Sequence, residues 1–118
     1  MAYVEGYQGN FNPNLAAVIS ASTTTSAVIN LGGFTLCGIQ IPAAFTGTAL
    51  TFLVCSTATG TFVPLKTSTS GTSLSYTVAQ GTYAAINPQD FYGVNYLQIV
   101  SGSTEGSART LICSVKGF

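Results

Sequence analysis

Apolar residues in this chain come in runs of four to nine, and each run is stopped by glycine, proline, asparagine or a cluster of serine and threonine. Runs of that length with a two-residue alternation specify half-buried strands, and their β-branched and aromatic content favours a pleated surface. The segments "SAVINL" (26–31), "FTLCGIQI" (34–41), "TALTFLVCS" (48–56), "TFVPLKT" (61–67), "SLSYTV" (73–78), "YAAI" (83–86), "VNYLQIVS" (94–101) and "RTLICSV" (109–115) are all of this kind. With the shorter apolar piece "LAAVISA" (15–21), they make eight or nine short strands at near-regular spacing. The expected fold is all-β: an antiparallel β-sandwich or jelly roll. By propensity alone "NLAAVISAS" (14–22) also accommodates two turns of helix.

Several strands declare a face. Leu50, Phe52 and Val54 alternate on one side, as do Leu74, Tyr76 and Val78, while Leu97 and Ile99 oppose Val94, Tyr96 and Gln98. Pro64 cannot donate to a ladder, so its strand belongs at an edge or a bulge. Gly32-Gly33 between two strand-like runs reads as a hairpin turn. The serine- and threonine-rich pieces "SASTTTSA" and "KTSTSGTS" have the composition of loops or exposed strand faces.

One segment departs from the strand pattern. In "NPQDFYG", Asn87 suits an N-cap, Pro88 the first helical position, and Asp90 falls where a carboxylate can reach back to the cap amide. Gly93 then ends the turn. This predicts one helical turn over 87–92, with Phe91 plugging an end of the core. Asp90, the sole aspartate of the chain, is therefore expected to shape backbone rather than to catalyse.

The 118 residues form a single domain over 15–118, preceded by an extended arm over 1–14. Only Glu5, Lys66, Asp90, Glu105, Arg109 and Lys116 carry formal charge, and they sum to zero. At 5% charged against roughly 25% in an ordinary domain, a free copy has little repulsion to hold it apart from others. The 47% apolar content excludes disorder. A folded module whose surface is covered by other protein is the consistent alternative.

The same composition excludes most chemistry. The chain contains no histidine, and Glu5, Asp90 and Glu105 are placed in an arm, a turn and a loop with nothing to pair them. A serine or cysteine nucleophile would have only Lys66 or Lys116 as a base. Cys37, Cys55 and Cys113 lie in apolar runs, without a CxxC pair, and read as buried thiols rather than ligands or a disulfide framework. No acidic cluster suits calcium, no glycine-rich loop leads from strand to helix to hold a phosphate, and three cations make no nucleic-acid face. No catalytic, cofactor-binding or metal residue is assigned, and no cofactor is expected. No apolar run approaches the roughly 20 residues of a membrane-spanning helix, so no membrane partner is expected. The opening "MAYVEGYQGNFNPN" lacks a basic region followed by an apolar stretch, which implies synthesis and folding in the cytosol.

The remaining signal is recognition by neutral surface. Tyr3, Tyr7 and Phe11 recur every four residues in an arm whose glycines and Asn/Pro cluster resist a helix, and they are the candidate interface residues. Two functions suit such a chain. One is a structural module repeated on a symmetric scaffold. The other is a carbohydrate-binding sandwich with weak glycan affinity, using exposed tyrosines and amides.

The stretch "LGGFTLCGIQIPAAFTGTALTFLVCSTATGTFVPL", followed by "INPQDFYGVNYLQIVSG" and the closing "RTLICSVKGF", resembles small virion proteins of tailed bacteriophages. The shared pattern is a glycine hairpin, an "IPAAFTGT" segment, an aromatic-V-P-L strand and a P-x-D-F-x-G-V-x-Y-L block, over roughly residues 31–118. Related members carry acidic or glycine-rich residues near 56–60, where this chain has "STATG". The resemblance implies a jelly-roll-like capsid cement or decoration protein on the outer surface of the phage head, made in the host bacterial cytoplasm. Its partners would be itself, as a homotrimer in preference to a dimer, and the major capsid protein. A protein associated with the tail or a head fibre is the alternative within the same family.

Overall fold

The computed structural model describes residues 14–68 and 70–117. Ten antiparallel strands, one or two more than expected, form two sheets. One contains β1 (Asn14–Ile19), β4 (Thr35–Gln40), β8 (Tyr83–Ala85) and β10 (Arg109–Lys116) in the order β1-β10-β4-β8. The other contains β2 (Thr23–Thr25), β5 (Ala49–Cys55), β6 (Val63–Pro64) and β9 (Tyr96–Glu105) in the order β2-β9-β5-β6. Two short strands join the second sheet: β3 (Ile29–Asn30) pairs with β9, and β7 (Tyr76–Thr77) pairs with β5.

The pairings are nested. The first strand pairs with the last, β2 and β3 with β9, β4 with β8, and β5 with β6 and β7. This is one long antiparallel ribbon folded over on itself, the wiring of a jelly roll. It divides the connections between two ends of the sandwich. Asn14, the 31–34 turn, the 56–62 loop, the 86–95 crossing and the last residues of β10 share one end. Residues 20–22, 41–48, 79–82 and 106–108 share the other.

The core lies between the sheets and follows the alternation, except in β4, where a bulge opposite Ser114 and Val115 turns both Leu36 and Ile39 inward. Ala17 and Ile19 of β1, Leu36 and Ile39 of β4, Leu50 and Phe52 of β5, Leu97 and Ile99 of β9, and Leu111, Cys113 and Val115 of β10 are all buried. Phe91 is fully buried and meets Phe52 edge-on, with ring centroids 5.0 Å apart. Burying each such ring contributes on the order of 2–3 kcal/mol.

Three local expectations need correction. Residues 14–22 are not helical, because Ala17 and Ile19 alternate inward at strand spacing and Ala16 and Val18 face out. Gly32 and Gly33, at φ +59° and +86°, do form a tight turn closed by the Phe34 amide donating to Leu31 O at 2.9 Å. The turn is not a hairpin, since β3 and β4 belong to different sheets and the chain crosses the sandwich here. Asn14 is the first residue of β1 rather than the last of the arm.

Candidate interface and the groups around it

The structure places Glu105 differently from its sequence context. "SGSTEGS" looks like a loop, yet Glu105 is the last residue of β9 and is wholly buried. Its carboxylate accepts four hydrogen bonds. The Thr46 amide donates to Oε1 at 2.9 Å, the Gly47 amide to Oε2 at 3.0 Å, the Ser101 hydroxyl to Oε2 at 2.9 Å and Arg109 Nε to Oε1 at 3.0 Å. Glu105 is thus paired, contrary to expectation, by an arginine four residues on across the β9–β10 turn. Burial acts to raise its pKa, but the Thr46 amide, Arg109, Ser101 and the Gly47 amide outweigh it and hold the group below the ordinary carboxylate range. A carboxylate enclosed by four donors is a clamp joining the 41–48 loop to the β9–β10 turn, with no lone pair presented to a substrate.

Asp90 does shape backbone, by a route the sequence did not show. Pro88–Phe91 is one 3₁₀ turn, and the Gln89 amide donates to Asn87 Oδ1 at 3.1 Å. The carboxylate does not reach the cap amide directly. Tyr76 stands between them: the Asn87 amide donates to its hydroxyl at 3.1 Å, and that hydroxyl donates to Asp90 Oδ2 at 3.0 Å. Burial raises the Tyr76 pKa, opposed by the Asn87 amide and reinforced by the Asp90 hydrogen bond and charge.

The thiols are free and unequal, so one common role as buried hydrophobes is a further correction. Cys113 is buried, and burial pushes its pKa up to about 12. Cys37 and Cys55 are partly exposed. The Thr57 amide, acting against the effect of burial, lowers the Cys55 pKa, with help from the Thr57 hydroxyl and the Ser56 and Gly60 amides. Among the described residues no three His, Cys, Asp or Glu side chains gather at metal-binding distance.

What the structure assembles instead is uncharged surface. On the outer face of the β1-β10-β4-β8 sheet, Ala16, Ile112, Gln40 and Tyr83 form one row across the strands, and Asn14, Ser114, Gly38 and Ala85 the next. The Tyr83 phenol lies across Gly38, in the space a Cβ there would occupy, so a larger residue at 38 would displace this exposed ring. On the outer face of the other sheet the rows are Thr25, Val100 and Thr51, then Gln98, Leu53 and Pro64, then Asn30, Tyr96 and Cys55. None of these side chains is charged. The described charges sit at strand ends and connections: Lys66 in the β6–β7 link, Asp90 in the 3₁₀ turn, Glu105 and Arg109 about the β9–β10 turn, and Lys116 at the end of β10.

The chain matches no family model, no curated protein and no solved structure.

The end of the sandwich from which β1 starts carries a cleft of 230 Å³ between β5, β6 and the 93–95 segment. Val54, Val63 and Val94 supply its apolar wall, and Cys55, Ser56 and Asn95 its polar rim. Val63 is paired with Val54 on the outermost strand and remains 52% exposed. Tyr83 and Tyr92 are exposed large aromatics, whereas Tyr76 and Tyr96 are partly buried. The sequence-derived interface residues Tyr3, Tyr7 and Phe11 lie outside the described residues. Sequence reasoning missed the cleft, because strand pairing brings Val54, Val63 and Val94 together from three separate elements.

Proposed function

We propose that this chain is a non-enzymatic structural protein of a tailed-bacteriophage virion, a cement protein on the outer surface of the head. It acts as a homotrimer that bridges neighbouring major capsid proteins. The observation that carries the proposal is the arrangement of charge among the described residues: the paired rows across the middle of both outer faces carry none, and Lys66, Asp90, Glu105, Arg109 and Lys116 stand in connections or at strand ends. Neutral faces dock on copies and on a lattice without desolvating ions, and their contacts are insensitive to salt. The jelly-roll wiring occurs in viral capsid proteins and in lectins alike, so it supports the proposal by analogy of fold alone. The resemblance to small phage virion proteins adds support from sequence.

The mechanism is mass action repeated by symmetry. A protein that binds the assembled shell and not the opened one stabilises the shell by RT ln(1 + [L]/Kd) at each site, and many weak contacts on one particle sum. Quantitative mass spectrometry of purified particles tests this: hundreds of copies per particle are expected. A handful would place the protein on the tail or a fibre, and none would refute a virion role.

A glycan-binding role is the second reading, favoured by the exposure of Tyr83 and Tyr92. Micromolar binding on a glycan array, abolished by Tyr83→Ala or Tyr92→Ala, would establish it in place of the first.

A further inference from the structure

We infer that the free edge of β1 is a strand-addition site for β8 of a neighbouring copy, so that the β1-β10-β4-β8 sheet runs on from one copy to the next. The inference rests on the homo-oligomeric part of the proposed function and names the contact that would build the oligomer.

The edges of the two sheets are not alike. β2 has three residues and a shifted register, β6 has two and contains Pro64, and β8 has three. Shortness, proline and irregular pairing are devices that stop an edge from recruiting another strand. β1 has none of them: six residues in unbroken register with β10, without proline or charge. Among the described residues its outer side bonds only to the 26–27 segment, through the Ile19–Ser26 bridge and the Ala27 amide donating to Val18 O at 3.0 Å. Because the Val18 carbonyl points away from β10, Asn14 and Ala16 turn their backbone groups the same way, where no described strand meets them.

Backbone direction and register select the occupant. The Ile41 amide donates to Thr82 O at 2.8 Å and the Ile86 amide to Cys37 O at 3.1 Å, so Tyr83 and Ala85 turn their backbone groups away from β4. Four strands alternating in direction set β8 antiparallel to β1. A copy rotated about an axis along the strands therefore presents β8 to β1 in the antiparallel sense. One register pairs both free residues on each side: Ala85 opposite Asn14, and Tyr83 opposite Ala16. These residues already share rows within one copy, Asn14-Ser114-Gly38-Ala85 and Ala16-Ile112-Gln40-Tyr83. Each row thus continues into the same row of the next copy with no shift along the strands. A repeat without translation closes as a ring, such as a trimer, instead of running on as a filament. The same register sets Leu15 against Ala84, two core side chains that their edges leave partly uncovered. Pairing β1 with a second β1 would stop at a dimer and leave both β8 edges open.

Disulfide trapping in the full-length chain tests the contact. Asn14 and Ala85 are exposed and stand at opposite edges of one sheet, on the order of 14 Å apart by strand spacing, too far for a bond within one copy. Asn14→Cys and Ala85→Cys, together and each alone, are made with Cys37→Ser and Cys55→Ser, oxidised with copper phenanthroline and run on a non-reducing gel. Ala16→Pro removes an amide that faces the free edge and breaks no bond to β10. Light scattering compares its mass with that of the wild type, and a thermal melt reports its fold. The expected result is a covalent ladder from the double variant that ends at the closed ring, none from either change alone, and association weakened about tenfold or more by Ala16→Pro. A covalent dimer from one change alone overturns the assignment, because it sets a strand against its own counterpart. An intact oligomer with no link from the double variant overturns the edge contact while leaving the oligomer standing. Unchanged association in an Ala16→Pro variant that melts cooperatively does the same, and if that variant fails to fold the trap alone decides. A wild type that is monomeric throughout overturns both the contact and the homo-oligomer.

Discussion

Replacing Glu105 with alanine should be the most damaging single polar substitution in this protein. The change strips the acceptor from four donors at once: the Thr46 and Gly47 amides, the Ser101 hydroxyl and Arg109 Nε. Removing one partner of a buried ion pair costs roughly 3–5 kcal/mol, because the other charge is left uncompensated. Each stranded buried amide adds about 1–3 kcal/mol, less wherever water can enter. Arg109 is 17% exposed and can reach solvent, which favours the lower part of the sum. A loss of about 3–5 kcal/mol is expected overall. At about 4 °C per kcal/mol for a chain of this size, that lowers Tm by roughly 12–20 °C. Glu105→Gln retains the shape and one acceptor oxygen, and should cost about 2 kcal/mol.

The pH dependence follows from the direction of the shift. Glu105 titrates lower in the folded chain than in the unfolded one, so its contribution is complete above the ordinary glutamate value of about 4.3. It is lost as pH falls through the folded value. Urea denaturation followed by far-UV circular dichroism at fixed protein concentration, from pH 7 to pH 2.5, checks both points. The wild type should lose stability on acidification, and Glu105→Gln should show a flatter acid limb. A Glu105→Ala variant within 1 kcal/mol of wild type, or a Glu105→Gln acid limb as steep as the wild type's, would refute the clamp.

Three further outcomes follow from the structure. Tyr76→Phe removes the hydroxyl between the Asn87 amide and Asp90, and should cost about 1–2 kcal/mol and speed hydrogen exchange at Asn87. Maleimide labelling of the native protein should modify Cys55 first, then Cys37, and leave Cys113 protected until unfolding; early labelling of Cys113 would contradict its burial. Gly33→Ala forces a Cβ into φ +86° and should cost about 1–2 kcal/mol by thermal melt, although nothing lies within 4 Å of the new atom.

Which features could be read in advance depends on how local their causes are. The faces of β5 and β9 were legible because alternation at Leu50, Phe52, Leu97 and Ile99 is a property of each strand alone. Pro64 at an edge and Asn87-Pro88 at a helical cap were legible for the same reason: proline restricts its own backbone wherever it stands. Strand partners are not local. Gly32-Gly33 specifies a reversal of the chain but not which strands meet, and β3 found β9 instead of β4. Glu105 was obscured by its serine and glycine neighbours. Its signal was the spacing to Arg109 across Gly106-Ser107-Ala108, a three-residue turn that brings positions four apart together. The cleft had no signal of this sort, since Val54, Val63 and Val94 look like ordinary strand or linker residues until the sheet is wired.

Under the proposed function, a surface this poor in ions is covered by like copies and by a lattice. Sedimentation equilibrium of the full-length chain from micromolar to near-millimolar concentration, at low and at molar salt, tests it most directly. The account predicts a defined oligomer whose stoichiometry does not change with salt. A monomer persisting to the highest concentration, or association that dissolves as salt is added, would contradict it.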